Sequence, residues 1–480
     1  MRRDLGDFQT PAALVSAVID RLDALGVRHD RVLEPTCGRG HFVAGLLSRP
    51  DPPQEVRGFE IQADYVDACR SLARVGTLVG VERADVFGVN LATRPRWTTS
   101  GPLLVVGNPP WVTAGELGRL GSENRPARSS IVGLSGLDAR TGRGNFDLAE
   151  AVWHKLLNEI DQPDATIALL CKTTTARNVL RWAIRAGKPI EGATIHRVDA
   201  RRWFAAAVDA CLLVVRLGST PDALRVEVFP DLRSNRAEST IGVVDGQLVA
   251  DLDSFARHSF AFGRSPVEWR QGVKHDAAAV MELVAHDGTL RNGLGEAVDV
   301  EPEHVYPLAK GADLGRLDFE GPSRQVIVTH RRLGEETRAL ETEAPRLWAY
   351  LVRHAGAFAA RRSKVYDGRP PFAMFGIGAY TFAPFKVAVS GLHKEARFRV
   401  VGPVNGRPVL FDDTCYFLPL ENRAEAERLL HLLDGPMARG LINSMRFPDA
   451  KRPITKGLLS RIDLDAMAGR RLLATAVGVE

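Results

Sequence analysis

The chain has 480 residues, with 63 Lys and Arg against 58 Asp and Glu, a net charge of +5 and a pI near 9.0. That length suits two or three domains, each with a sizeable core. A composition of 45% hydrophobic and 25% charged residues excludes fibrous, disordered and membrane-spanning classes, and no run approaches the about eighteen apolar residues of a membrane helix.

The N-terminus, Met1-Arg2-Arg3-Asp4, leads into polar sequence, which argues against a secretory signal. Cys37, Cys69, Cys171, Cys211 and Cys415 are scattered, with no CxxC or Cys/His ligand spacing. Reduced thiols, no metal and a cytoplasmic protein are therefore expected. The mild positive charge is compatible with a polyanionic partner.

Residues 1–220 alternate strand and helix patterns. Apolar runs that suit buried parallel strands fall at Arg31–Leu33, Val56–Phe59, Leu103–Val106, Thr166–Leu170 and Cys211–Val215. Helical patterns cover Pro11–Leu25, His41–Leu47, Ala63–Leu72, Phe146–Ile160 and Ala176–Ala186, the first with Thr10 as an N-cap ahead of proline. Alternation of this kind implies an α/β, doubly wound, mostly parallel sheet whose ligands bind at the strands' carboxyl ends. Gly115–Gly144 breaks the rhythm: it is rich in Gly, Ser and Arg and lacks periodicity, as functional or disordered loops do. After Gly218 the pattern turns to short strands and mixed elements. A helical pattern spans Pro345–Ala360, glycine- and aromatic-rich strands span Phe372–Val389, and a helical pair spans Ala424–Leu433 and Pro436–Met445. The expected division is residues 1–220 and a mixed α+β domain at 221–480, with the junction between 215 and 235.

The first strand runs into Glu34-Pro35-Thr36-Cys37-Gly38-Arg39-Gly40-His41-Phe42. Gly38 and Gly40 let the backbone turn tightly and approach a ligand. Alone, such a pair is an ordinary turn. Glu60 closes the second strand, where a carboxylate can accept from two ribose hydroxyls, and Asp85 follows the third, where one can accept from an adenine amino group. Either could instead be a solvated strand end or a helix cap. Their order at successive strand ends points to an adenosine-containing cofactor. Glu34 beside the loop would repel a pyrophosphate but suits the ammonium and sulfonium of S-adenosylmethionine.

The fourth strand ends in Asn108-Pro109-Pro110-Trp111. The prolines hold the backbone and remove two amide donors. The Asn108 side-chain oxygen and the Pro109 carbonyl can then both accept from a planar amino group, while Trp111 offers a stacking surface. Two acceptors bias that nitrogen toward tetrahedral character for in-line attack on a sulfonium methyl.

These motifs resemble those of the gamma-arrangement N6-adenine DNA methyltransferases over roughly residues 5–217. Gly6-Asp7-Phe8-Gln9-Thr10-Pro11 looks like the family's N-terminal motif, Glu34 to Gly40 its first cofactor motif, and Asn108 to Trp111 its catalytic tetrapeptide, which usually ends in Tyr or Phe. The resemblance implies a seven-stranded Rossmann-like methyltransferase sheet. It implies that Thr10, Glu34, Pro35, Gly38, Gly40, Glu60 and Asp85 hold S-adenosylmethionine, and that Asn108, Pro109, Pro110 and Trp111 act on an adenine flipped out of double-stranded DNA. It further implies that Phe204, in Arg202-Trp203-Phe204, stacks on that base, although the neighbouring Trp203 competes for the role and either ring could be core.

Residues 221–480 suit a target-recognition domain. His330-Arg331-Arg332, Arg353-His354, Arg361-Arg362-Ser363-Lys364 and Lys451-Arg452 with Lys456 form basic clusters, of which Arg361, Arg362 and Lys364 are the candidate phosphate ligands. For any single arginine a solvated surface is the commoner reading. The aromatics of Pro371–Tyr380 are read as core. Pro163-Asp164 with Cys171-Lys172 is a poor nuclease motif, lacking the acidic residue before the lysine, and the first motif begins at residue 6. The expectation is modification without cleavage, as a monomer, beside a separately encoded restriction endonuclease. RNA-base and protein-glutamine methyltransferases also use an Asn-Pro-Pro tetrapeptide, and N4 of cytosine presents the same geometry. The motif order, with the large domain last, favours DNA, and basic clusters bind either nucleic acid.

Overall fold

The computed structural model describes residues 9–72, 74–112, 147–221, 223–316, 318–319 and 321–469. Gly6–Phe8, the Gly115–Gly144 stretch and Phe146, the first residue of one predicted helix, lie outside them. The chain divides into two compact units, Met1–Asp253 and Ser254–Glu480.

The first unit is built on one sheet. Its strands are β1 (Arg31–Glu34), β2 (Glu55–Glu60), β3 (Leu78–Arg83), β4 (Leu103–Gly107), β5 (Thr166–Lys172), β6 (Ile190–Val198), β7 (Ala210–Leu217), β8 (Val226–Phe229), β9 (Ser239–Val244) and β10 (Gln247–Val249). The order is β10-β9-β8-β6-β7-β5-β4-β1-β2-β3. From β3 to β5 all neighbours run parallel. Every residue of β4, and all of β5 but Lys172, is buried, as continuous apolar runs require when both faces are covered. The helices are α1 (Ala12–Ala24), α2 (His41–Leu47), α3 (Ala63–Arg70), α4 (Leu148–Glu159), α5 (Thr173–Arg185) and α6 (Ala200–Phe204). In α1, Leu14, Val18 and Leu22 recur every fourth residue and are buried, the stripe of an amphipathic helix.

The structure corrects three expectations. The Cys211–Val215 run belongs to β7, which is antiparallel to both β5 and β6. The connection from β6 holds only the single turn of α6, too short for the crossover that parallel strands need. The strand β6 escaped notice because Glu191, Gly192, Thr194, His196 and Arg197 interrupt its apolar residues, and its burial is mixed rather than continuous. The unit also runs beyond 215–235. Strand β8 pairs with β6, and the Arg21 guanidinium of α1 sits 4.6 Å from the Phe229 ring centre and donates to Asn235 Oδ1 at 2.9 Å. Those contacts place β8–β10 with the first unit, so the junction falls at Asp253/Ser254.

The second unit is mixed α+β, with a five-stranded and a four-stranded sheet. The helical pair appears as Arg423–Asp434 and Pro436–Met445. Within Phe372–Val389 only Phe385–Ser390 is a strand; of the aromatics read as core, Phe372 is buried in the core, Tyr380 packs against a second core cluster and Phe375 is half-buried. Five free, buried cysteines are present. No helix among the described residues is long and apolar enough to cross a membrane.

Close packing beneath the first turn sets a stability test. A β-carbon at Gly58 would overlap Cys37 Sγ. Gly58→Ala is expected to cost about 1–3 kcal/mol by overpacking, and adding Cys37→Ala is expected to recover most of it. Thermal midpoints of the two single variants and the double variant measure the coupling.

Candidate active site

Four strands of one sense bring their carboxyl ends to one edge of the sheet. Glu34 ends β1, Glu60 ends β2, Asp85 follows β3 and Asn108 follows β4. All four line one pocket, together with Thr10, Pro35, Gly38 and Pro110. Residues far apart in sequence thus meet as expected. Gly40 does not line the pocket. It stands behind, at the N-terminus of α2 with φ 77°, where a β-carbon would come within 2.8 Å of Cys69 Sγ. Gly38 also has positive φ, 53°, and its amide donates to Glu60 Oε2 at 2.8 Å. Glu60 Oε1 accepts from the Gln62 amide at 2.8 Å. The carboxylate therefore braces the loop and retains further lone pairs for ligand hydroxyls. Asp85 caps the turn Val86–Gly88 through the Phe87 amide, 3.0 Å from Oδ1, so it is both a cap and a pocket residue.

Glu34 is 2% exposed, and its Oε2 has no hydrogen-bond partner. Burial pushes its pKa well above the usual carboxylate range, and the nearby Cys69 and Glu60 add to the rise. A buried acceptor without a donor is costly. An ammonium in the pocket would meet that need, so the site fits the cationic amino-acid end of S-adenosylmethionine.

Thr10 is not the N-cap of α1, which is Pro11. Its hydroxyl accepts from Asn108 Nδ2 at 3.2 Å, and its carbonyl lies 2.6 Å from His41 Nδ1. The first bond orients the Asn108 carboxamide, with Oδ1 at the opposite end. Trp111 is 6% exposed. Its Nε1 donates to the Leu170 carbonyl at 3.3 Å, and its ring meets Phe204 edge-on, centres 5.0 Å apart at 72°. Trp203 points elsewhere, its ring under the Arg202 guanidinium at 4.7 Å. The aromatic neighbour of the tetrapeptide is therefore Phe204.

Several wall residues were not singled out from the sequence. Thr36 lines the pocket with a buried hydroxyl that has no partner. Ile61, next to Glu60, and Phe87, two residues after Asp85, supply apolar walls, as do Leu148 and Val152 on α4. Nearness to Glu60 and Asp85 was the available signal for the first pair; nothing local marked the second.

In the second unit Arg361 is used internally. Its guanidinium lies 3.7 Å from the Tyr366 ring centre and donates to the Ala373 carbonyl at 2.7 Å, and burial lowers its pKa. Arg362 and Lys364 are exposed. In the other basic clusters, Arg452 pairs with Asp413 and Lys456 with Glu268, while Arg331 donates to the Tyr306 hydroxyl.

A sheet of this order, a pocket over its carboxyl edge and the Asn108 and Pro110 of an Asn-Pro-Pro-Trp turn in the pocket wall, with Pro109 and Trp111 outside the lining, define a Rossmann-like, S-adenosylmethionine-dependent methyltransferase. No family model matches the chain. It is 33% identical over 476 residues to the type II methyltransferase M.NspV of Nostoc sp. (strain ATCC 29411 / PCC 7524), covering 97% of each chain. Its fold is similar to that of the type IIL restriction–modification enzyme MmeI, solved in complex with DNA, with a TM-score of 0.56 and 11% identity over 96% of this chain and 68% of that one. The chain belongs to the type II methyltransferases of restriction–modification systems.

Glu34 yields a pH test. Its folded pKa is raised, so between the ordinary carboxylate range and that raised value the native state holds a proton that the unfolded chain has lost. Stability from this group is complete below the unfolded pKa and falls as pH rises through the folded one. Glu34→Gln, without cofactor, is expected to raise the thermal midpoint at neutral pH and to flatten its decline with pH, while abolishing S-adenosylmethionine binding in calorimetry. A lower midpoint at neutral pH would contradict the assignment.

Proposed function

We propose that the enzyme transfers the methyl group of S-adenosylmethionine to N6 of an adenine flipped out of double-stranded DNA, as the modification component of a restriction–modification system. The observation that carries this reading is the meeting, in one pocket wall, of the buried Glu34 carboxylate with Asn108 and Pro110, beside the Trp111–Phe204 aromatic pair. When bound, S-adenosylmethionine supplies an electrophilic methyl group on a sulfonium.

The chain's residues do the rest. Glu34 accepts from the ammonium, Glu60 from the ribose hydroxyls and Asp85 from the adenine amino group of the cofactor. Gly38 lets the backbone approach, Pro35 and Thr10 shape the amino-acid end, and Gly40 lets the chain enter α2. Asn108 Oδ1 and the Pro109 carbonyl accept the two hydrogens of the target amino group, which localises its lone pair for in-line attack. Pro109 and Pro110 hold that turn. Trp111 stacks on the flipped ring and Phe204 supports it edge-on. The second unit reads the duplex, with Arg362 and Lys364 on phosphates. Arg361, committed to carbonyls, keeps a supporting part. The enzyme acts as a monomer in the bacterial cytoplasm, alongside a separately encoded endonuclease.

The test is methyl transfer from labelled S-adenosylmethionine to mixed-sequence duplex DNA, followed by nucleoside mass spectrometry. N6-methyladenine is expected. Asn108→Ala is expected to lower kcat by about 10²–10³ with S-adenosylmethionine affinity nearly unchanged. N4-methylcytosine would move the target base, and transfer only to RNA or protein would overturn the DNA assignment.

A further inference from the structure

Lys172, noticed in the sequence only as part of a failed nuclease motif, ends β5 two residues after Leu170. Its Nζ lies 2.8 Å from Asp147 Oδ2, and both side chains are largely shielded, at 23% and 11% exposed. Asp147 Oδ1 accepts from the Ala149 amide at 2.9 Å, capping α4. The Leu148 amide donates to the Val112 carbonyl at 2.9 Å, and Val112 follows Trp111. Trp111 Nε1 in turn donates to the Leu170 carbonyl.

These bonds close a circuit: Trp111 to Leu170, along β5 to Lys172, across to Asp147, through Leu148 to Val112, and back to Trp111. The indole is tied at its nitrogen by β5, and the chain behind it by α4. The Lys172–Asp147 pair joins those two elements at the pocket edge. A second strut, Asn178 to Glu150 at 3.0 Å, links α5 to α4 a turn away. It joins helix to helix and is not one of the bonds that close the circuit.

We infer that Lys172 and Asp147 are positioning residues that set the plane of the Trp111 ring for the target base. The inference rests on the reading of Trp111 as the stacking surface. Neither residue touches the reacting atoms. Asp147 serves two donors at once, the Ala149 amide through Oδ1 and the Lys172 ammonium through Oδ2.

The experiment uses the full chain labelled with 5-fluorotryptophan. The chain has seven tryptophans, and Trp111→Phe identifies the Trp111 resonance by fluorine NMR. Lys172→Met and Asp147→Asn are the test variants. Asn keeps the helix cap and replaces the oxygen that accepts from Lys172 with an amide donor, and Lys172→Arg is the conservative control. The expected result is a shifted or split Trp111 resonance in both test variants and a native one in Lys172→Arg. On duplex DNA, kcat is expected to fall about tenfold in the test variants, with S-adenosylmethionine and DNA affinities unchanged, and to recover in Lys172→Arg. A native Trp111 resonance in Lys172→Met overturns the inference. So does a loss of cofactor affinity and thermal midpoint in step with kcat that Lys172→Arg fails to rescue. If the wild type does not methylate DNA but the resonance responds as expected, the circuit stands and the substrate reading fails.

Discussion

The parallel alignment of β3, β2, β1 and β4 is the constraint on which everything else depends. Parallel neighbours end on the same edge, so any residue that follows a strand is delivered to that edge. Register completes the convergence: Glu34 pairs with Gly58 across β1 and β2, leaving Glu60 beyond it, close enough to accept from the Gly38 amide. Chemistry dispersed over residues 10–111 thereby becomes one wall. The antiparallel β7 serves the same end from the other side, because the turn that feeds it carries Phe204 to Trp111.

The site holds cost as well as order. An acceptor buried without a donor at Glu34 lowers the stability of the ligand-free chain and is relieved when a cationic donor binds. Such a group favours binding because the bound state relieves what the free state bears. The neighbouring polar groups are arranged the other way. Glu60, Asp85 and Thr10 each make a hydrogen bond within the chain, so they are oriented before any ligand arrives. Preorganised acceptors of this kind need little rearrangement when charge develops.

Much of this was legible in the sequence, where local chemistry and position coincide. Gly38 and Gly40, with positive φ, sit where a strand must turn sharply into a helix. Strands β1, β4 and β5 read directly because burial on both faces demands unbroken apolar runs. The strand β6 did not read, since one half-covered strand with His and Arg carries a weaker pattern. The extension by β8–β10 did not read either, because it rests on Arg21 reaching Phe229 and Asn235, a contact that no periodicity encodes. Arg361 shows the limit for charges: a basic cluster in sequence does not tell which guanidinium is spent on carbonyls.

By itself the sequence determined the class of fold, the order of the pocket carboxylates and the Asn108–Trp111 turn. These follow from residue type and strand position, both one-dimensional properties. Only the tertiary structure decided that Phe204 and not Trp203 backs Trp111, that Thr10 orients Asn108 rather than capping its helix, and that Lys172 meets Asp147. Each of those depends on side chains from separate elements coming within hydrogen-bond or van der Waals reach, and that distance is set by packing of the whole sheet, not by any local pattern.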